Sequence, residues 1–522
     1  MPRLPDNMAT SSPPLPQTQK KTQFIVNVLW NWSAVVVNIF AALILSPFII
    51  HRLGDDNYGL WALTVSLAEY YWIMDLGFRS ATLKYSAHYR ALGEDGRINE
   101  ILNTALFYSA CIGPLLILGT YFGAPYLTSI KNLRNPLFPK LLMIVVGAWV
   151  LGSLFNVFSS CLEGFQRFDV TNKIYLTGTA VRAFGTAALL LAGFGVLEMA
   201  MMVLVAQALV HLLSFLAFRK VFPPLQFSRR FVKMSALRTM LSYGAHSVVA
   251  SAAQRVLNQG GPVMIGIFLP TRFVGYYSQA SRLLDYVVDG IGRIGTVSNP
   301  NAAEMMAQKA SHRLAELGVI TNRYSLALFL PVTILLGVYG PQLLAVWISP
   351  QFGANCAPVL LALLPGVTIA LAGQNNSISI LYGMGRHQRY ARALVAEAIL
   401  TLGGIALVVK PFGIVGVAWV VSSMMLLNRG LFTAWLLSRE VGINYFRFLG
   451  AVYQPLLMAA PVVALLYALR FTILPGRNLP QLILAGIIAV TCYVPVAVMT
   501  LRPDHRALLA AKIRERLFRS AS

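Results

Sequence analysis

The stretch RLGDDNYGLWALTVSLAEYY, residues 52–71, joins a polar turn to an apolar run that closes on Glu69, Tyr70 and Tyr71. Moving the chain along itself by 216 positions lays this stretch over FLPTRFVGYYSQASRLLDYV, residues 268–287. Leu53 then meets Leu269, Gly59 meets Gly275 and Glu69 meets Asp285. Farther on, Ala87 meets Ala303, Glu100 meets Glu316 and Tyr108 meets Tyr324. A later pair, GFGVLEMAMMVLV from Gly193 and PFGIVGVAWVVSS from Pro411, matches at the nearly equal offset of 218. One offset shared over so much chain predicts two copies of one unit.

Each copy is built of apolar segments. Of the 522 residues 57% are hydrophobic and only 12% charged, against about 25% charged in an ordinary soluble domain. Segments of bilayer-spanning length, about 20 residues, recur from Phe24 almost to the C-terminus. They begin near Phe24, Tyr58, Ile101, Phe138, Ile174, Val196, Leu241, Phe273, Tyr324, Pro358, Ala393, Phe412, Gly450 and Gln481. The predicted fold class is therefore an all-α polytopic membrane protein with about fourteen transmembrane helices. Six spans per copy is an even number, so both copies enter the membrane in the same sense. The two lobes are then related by a pseudo-two-fold axis along the membrane normal, a parallel repeat of the kind some transporters use. The expected organisation is a disordered cytoplasmic tail (1–22), a first six-helix lobe (23–218), a basic cytoplasmic connector (219–240), a second lobe (241–438), two additional helices (439–502) and a basic cytoplasmic tail (503–522).

The net charge of +23 has no basic soluble domain to sit on, so it does not point to nucleic acid. It falls instead between spans. Loops on one side, with both termini, carry about 29 Lys and Arg, those on the other about eight, and five lie inside spans. The positive-inside rule then puts both termini in the cytoplasm. No outward loop exceeds roughly a dozen residues, so function must lie in the helix bundle. Cys111, Cys161, Cys356 and Cys492 show neither zinc nor disulfide spacing. The chain lacks GxxxxGK[ST], HExxH and GxSxG. No cofactor is expected, and the drive would be a Na+ or H+ gradient or substrate flux.

Charge inside a span is expensive, at roughly 2.5–3.5 kcal/mol per residue at a helix centre. Arg182, Arg255, Arg282, Arg293 and Arg429 would together cost on the order of 15 kcal/mol facing lipid. In RLLDYVVDGIGR, residues 282–293, Arg282, Asp285, Asp289 and Arg293 recur at steps of three and four, which return to one helix side. They read either as intrahelical ion pairs in a buried seam or as one wall of an aqueous cleft. In AEYYWIMDLGFR of the first copy, Glu69, Trp72, Asp75 and Arg79 fall within about 120° of a helical arc. Ser247, Ser251, Gln254, Arg255 and Asn258 share a side of the seventh span, and Asn27, Asn31 and Asn38 one of the first. Those two faces are expected to meet across the cleft, or else to hold helices together by hydrogen bonds. His211 and His246 read as core histidines. Glu397 is a candidate coupling-ion carboxylate, and Gln374–Ser377 (QNNS) marks either a broken helix or a packed polar turn. Tyr70, Tyr71 and Trp72 suit sugar stacking or an interfacial belt.

LGDDNYGLWAL (53–63) followed by MDLGFRSATLKYSA (74–87), with its Asp75-Leu76-Gly77 triplet, resembles the opening of bacterial polysaccharide and O-antigen flippases. These are Wzx-like members of the multidrug/oligosaccharidyl-lipid/polysaccharide (MOP) superfamily. The resemblance extends over nearly the whole chain in layout. It implies an undecaprenyl-diphosphate-linked oligosaccharide carried from the cytoplasmic to the outer leaflet by alternating access, without enzymatic chemistry. Membrane lipids, a polysaccharide polymerase and chain-length machinery are the implied partners, and a bacterial inner membrane is the implied location. A diphosphate calls for arginine forks, and the helical faces put Arg255 first, then Arg282 and Arg293. Asn31, Asn38, Glu69, Asp75, Gln254, Asn258, Asp285 and Asp289 would line the cavity and meet sugar. Two other readings remain open: an ion-coupled small-molecule antiporter of the same superfamily, which five arginines disfavour for cationic substrates, and a membrane glycosyltransferase or polymerase.

Overall fold

A computed structural model describes residues 17–308, 311–508, 510 and 511, with the backbone alone for residues 17–36, 72–74, 131, 244–247, 291–300 and 311. Among the described residues there is no strand. The first lobe comprises α1 (Gln17–Ala68), α2 (Phe78–Leu92), α3 (Asp95–Leu127), α4 (Leu137–Gly164), α5 (Phe168–Leu191) and α6 (Val196–Val221). The second comprises α7 (Met234–Phe268), α8 (Thr271–Ala307), α9 (Ser311–Trp347), α10 (Pro350–Pro365), α11 (Gly373–Gly383), α12 (Gln388–Met425) and α13 (Thr433–Val441). The chain ends in α14 (Tyr445–Met458), α15 (Ala460–Thr472) and α16 (Leu479–Thr500).

Ten helical segments among the described residues are long and apolar enough to cross a membrane. Two of these contain a break at glycine. Gly54 has φ 75° inside α1 and Gly413 φ 60° inside α12, a left-handed conformation that disfavours any residue with a Cβ. At Gly413 the chain doubles back, so that a side chain at Gly404 would strike Val420 at 2.8 Å. α7 and α8, 35 and 37 residues long, also have spanning length but are interrupted by polar residues. Phe184, Leu407 and Leu457, each more than three-quarters exposed, face outward as lipid-bathed residues do.

Several local expectations are corrected. α1 starts at Gln17, inside the segment assigned to a tail, and residues 1–16 lie outside the described residues. The connector is shorter than 219–240, because α6 runs to Val221 and α7 begins at Met234. AEYYWIMDLGFR is not one α-helix. Glu69–Asp75 is wound as a 3₁₀ helix, the left-handed residues Leu76 (φ 45°) and Gly77 (φ 79°) follow, and α2 starts only at Phe78. Three residues per turn still bring positions 69, 72 and 75 onto one edge. Arg79 lies past the break and bonds to Glu163 Oε1 at 3.3 Å.

The QNNS segment is a packed polar turn of the helix rather than a break. A π-wound stretch, Gly366–Ala372, leads directly into α11, where Gln374, Asn376 and Ser377 are fully buried. Asn322 Nδ2 donates to Ser377 Oγ (2.7 Å), Ser377 Oγ to Gln374 Oε1 (2.8 Å) and Gln374 Nε2 to Tyr453 Oη (3.2 Å). Each buried polar group thus meets another, as an apolar interior demands.

The connector is strapped to the first lobe by three side chains of α3. Asn99 accepts from Gln226 N (2.9 Å) and donates to Pro224 O (3.0 Å). Asn103 accepts from Ser228 N (3.1 Å) and donates to Gln226 O (2.8 Å). Thr104 accepts from Lys233 N at 3.2 Å. The two amides act as a neighbouring strand would, satisfying both N–H and C=O of the extended backbone. Asn103→Ala removes two of these bonds, a loss of about 1–3 kcal/mol. It should raise trypsin cleavage after the exposed Arg229, Arg230 and Lys233 by about tenfold or more, in membrane vesicles that expose this face. Unchanged cleavage would mean that the strap does not hold the connector.

A polar cleft where the two lobes meet

The lobes touch through α1 and α8, and the contact is built on the two glycines that the internal repeat equates. A Cβ on Gly59 would lie 1.9 Å from the backbone oxygen of Thr271, and one on Gly275 3.3 Å from Gly59 Cα. Backbone therefore lies on backbone. Around this point Tyr58 Oη donates to Gln279 Oε1 (2.7 Å), Tyr276 Oη to Asp55 Oδ2 (2.6 Å) and Thr271 Oγ1 to Asp56 O (3.3 Å). Trp347 Nε1 adds a bond to Leu43 O at 2.7 Å. Tyr58, Gln279 and Tyr276 were not singled out from sequence, although the Gly59–Gly275 equivalence pointed to their neighbourhood.

Farther along the bundle, Arg255 of α7 forms an ion pair with Glu69 of the 3₁₀ turn, joining the lobes again. Both side chains are about a quarter exposed, 25% and 23%, so the pair borders open space. On α8, Gln279, Leu283, Leu284 and Val287 are buried while Arg282, Asp285 and Asp289 are exposed. α8 packs on α1, α7, α9, α10 and α11. A stripe of three charges would be costly against lipid. Arg282 and Asp285 influence each other electrostatically but are not joined by a close ion pair.

Other candidates are placed differently from expectation. Asn38 does not reach Gln254; its Nδ2 donates to Tyr175 Oη of α5 at 2.6 Å. Gln254 Nε2 instead donates to Asn258 Oδ1 one turn on, at 2.8 Å. Asp75 ends the 3₁₀ turn, where Arg79 N of the following helix approaches its Oδ2 at 3.5 Å. Glu397 is buried on α12 and gripped by Arg429 Nε at 3.2 and 3.3 Å, with Asn428 Nδ2 at 2.7 Å. Arg429 and Asn428 lie on a π-wound stretch, Leu426–Phe432, and that winding carries their side chains toward the carboxylate. His211 is buried and bonded to Gln207 at 3.2 Å. The side chains of Asn27, Asn31, Trp72, His246, Ser247 and Arg293 lie outside the described residues.

The family described as polysaccharide biosynthesis protein matches residues 49–356, more than half of the chain. The chain belongs to the polysaccharide biosynthesis protein family. A membrane protein of Bacillus subtilis, EpsK, is 22% identical over 512 residues, covering 94% of this chain and 98% of its own length. A protein of Shigella flexneri, provisionally named an O-antigen transporter, is 22% identical over 434 residues, 80% of this chain and 99% of its own. The fold is that of the MOP superfamily. The lipid II flippase MurJ, in an inward-closed conformation, superimposes with a TM-score of 0.71 at 12% identity, over 93% of this chain and 100% of its own. An inward-facing multidrug-resistance transporter of the MATE family gives 0.62 at 13% identity, over 77% and 98%.

These relatives are named as transporters, a flippase or a membrane protein, not as enzymes. With ten helical segments of spanning length and hydropathy among its described residues, this member of the polysaccharide biosynthesis protein family is a multi-pass membrane protein. The part matched to the family spans the Gly59–Gly275 contact, Glu69, Arg255 and the α8 stripe. Glu397, Arg429 and the trailing helices α14–α16 lie beyond it.

Proposed function

We propose that this protein flips a polyprenyl-diphosphate-linked oligosaccharide, undecaprenyl in bacteria, from the cytoplasmic to the outer leaflet by alternating access between its two lobes, for O-antigen, capsule or exopolysaccharide assembly. The observation that carries the proposal is Arg255, a guanidinium at the edge of open space whose carboxylate partner belongs to the opposite lobe. When the lobes separate at that level, Glu69 withdraws and a phosphoryl group can replace its carboxylate on the Arg255 guanidinium, whose planar fork suits phosphate oxygens. Arg282 and Arg293 on α8 are secondary phosphate ligands in this scheme, and Asp285, Asp289, Gln254 and Asn258 line the path of the sugar. The polyprenyl tail stays in lipid.

The Gly59–Gly275 contact is what a two-fold axis along the membrane normal would produce, since an isologous interface brings equivalent residues together. We place this contact on the outer side and both termini in the cytoplasm of the inner membrane, following the lysine and arginine bias. A Na+ or H+ gradient is the proposed drive. A coupling role for Glu397 would require its bond with Arg429 to open. A polymerase and chain-length machinery would receive the product.

The test is mass spectrometry of membrane lipids from cells depleted of the protein. Polyprenyl-diphosphate oligosaccharide should accumulate as surface polymer falls, and its fragments would identify the sugar. An unaltered lipid pool with normal polymer would overturn the flippase in favour of a small-molecule antiporter.

A further inference from the structure

Arg182 lies well inside α5, whose faces are sharply divided. Phe184 (77% exposed) and Leu191 (61%) define an apolar outer face together with Ala180 and Ala188. At about 100° per residue, Arg182 points about 160° from Phe184 and about 180° from Leu191, yet it too is exposed. Tyr175, seven residues earlier and about 20° away, is 48% exposed and holds Asn38 of α1. One side of the helix, about 40–60° from Arg182, is packed on α6, with Gly178 against Val210 and Gly185 against Met202. Arg182 thus points away from the face that Phe184 and Leu191 present to lipid.

Charge balance sets Arg182 apart. Arg255 has Glu69, Arg429 has Glu397, and Arg282 has Asp285 in its field. Among the described residues, Arg182 has no ion pair. Asp169, the one acid on α5, is taken by Arg167 at 3.1 and 3.2 Å. Glu198 at the start of α6 is turned to Gly195 N at 2.9 Å. A guanidinium left uncompensated at membrane depth is expensive to insert, and such residues mark substrate pathways.

We infer that Arg182, on the side of α5 that carries the Asn38–Tyr175 bridge, is an anion-binding point of the first lobe that takes phosphoryl oxygens, a second station in addition to Arg255 and Arg282. The phosphoryl chemistry rests on the flippase reading. The location and the unbalanced charge do not.

Two measurements on the full-length protein in detergent test it. Arg182→Cys should react with a charged, water-borne thiol reagent above the background of the wild-type cysteines, while Phe184→Cys should not. Arg182→Gln should weaken binding of inorganic pyrophosphate and of farnesyl diphosphate by about tenfold, the loss of one charged contact, with Arg182→Lys restoring part of it. Without ligand, Arg182→Gln should melt no lower than wild type, because it deletes an uncompensated charge. A structural arginine would lower the melting temperature. Weakening for farnesyl diphosphate alone would make the anion lipid-borne, and weakening for pyrophosphate alone would make it a free anion. An unreactive Arg182→Cys, or wild-type binding by Arg182→Gln where Arg255→Gln is impaired, overturns the station and leaves the flippase standing. Wild-type binding by both Gln variants overturns the flippase reading too.

Discussion

Arg255→Ala is expected to lower lipid-linked oligosaccharide export by at least about tenfold while the chain still inserts and folds. A charged hydrogen bond contributes about 1.5–3 kcal/mol, and about 1.4 kcal/mol is a factor of ten. The ion pair with Glu69 is a quarter exposed, so its own contribution to stability is modest and screened. Truncation should therefore show in transport far more than in melting temperature. A charge swap separates a latch from a ligand site. In the double variant Glu69→Arg, Arg255→Glu the lobes can still pair, so a pure latch would recover export, whereas a phosphate ligand on α7 would remain missing. Full export by the double variant would reduce Arg255 to a latch, and full export by Arg255→Ala would remove it from the mechanism.

Gly59→Val should be as damaging, for a steric reason. The added Cβ would fall 1.9 Å from the Thr271 backbone oxygen, a distance that no side-chain rotation can relieve. α1 and α8 would have to separate, straining the Tyr58–Gln279 and Asp55–Tyr276 bonds beside the contact. Overpacking of this kind costs about 1–3 kcal/mol, which would shift the balance between closed and open lobes by roughly fivefold to 150-fold. Export should fall accordingly, and Thr271→Cys should become more reactive to aqueous thiol reagents in the Gly59→Val background. Gly403→Ala is the control. Its Cβ would meet nothing within 4 Å, and alanine is the better helix former. Normal export and unchanged labelling in Gly59→Val would mean that the contact is not a seal in the transport cycle.

The sequence by itself determined the solvent and the polar positions. Apolar runs of spanning length leave the chain no soluble alternative, because burying backbone polar groups in lipid permits only internally bonded helices here. The offset of 216 identified Gly59 and Gly275 as equivalents before the structure brought them together. The insertion cost of a charge is local, so Arg182, Arg255, Arg282 and Arg429 were visible as exceptional from their neighbours alone.

Which of them is neutralised was not visible. Arg255 and Glu69 are 186 residues apart, and their meeting depends on how two lobes dock. Arg429 reaches Glu397, 32 residues away, through a π-wound turn that α-helical spacing does not foresee. The left-handed residues Leu76 and Gly77 redirected Arg79 to Glu163 in the same way. Asn99 and Asn103 bind the connector across more than 120 residues of sequence. Ion pairing and backbone strapping act at about 3 Å, a scale that only the packed tertiary structure sets, whereas hydrophobic length and charge cost are properties of each segment alone.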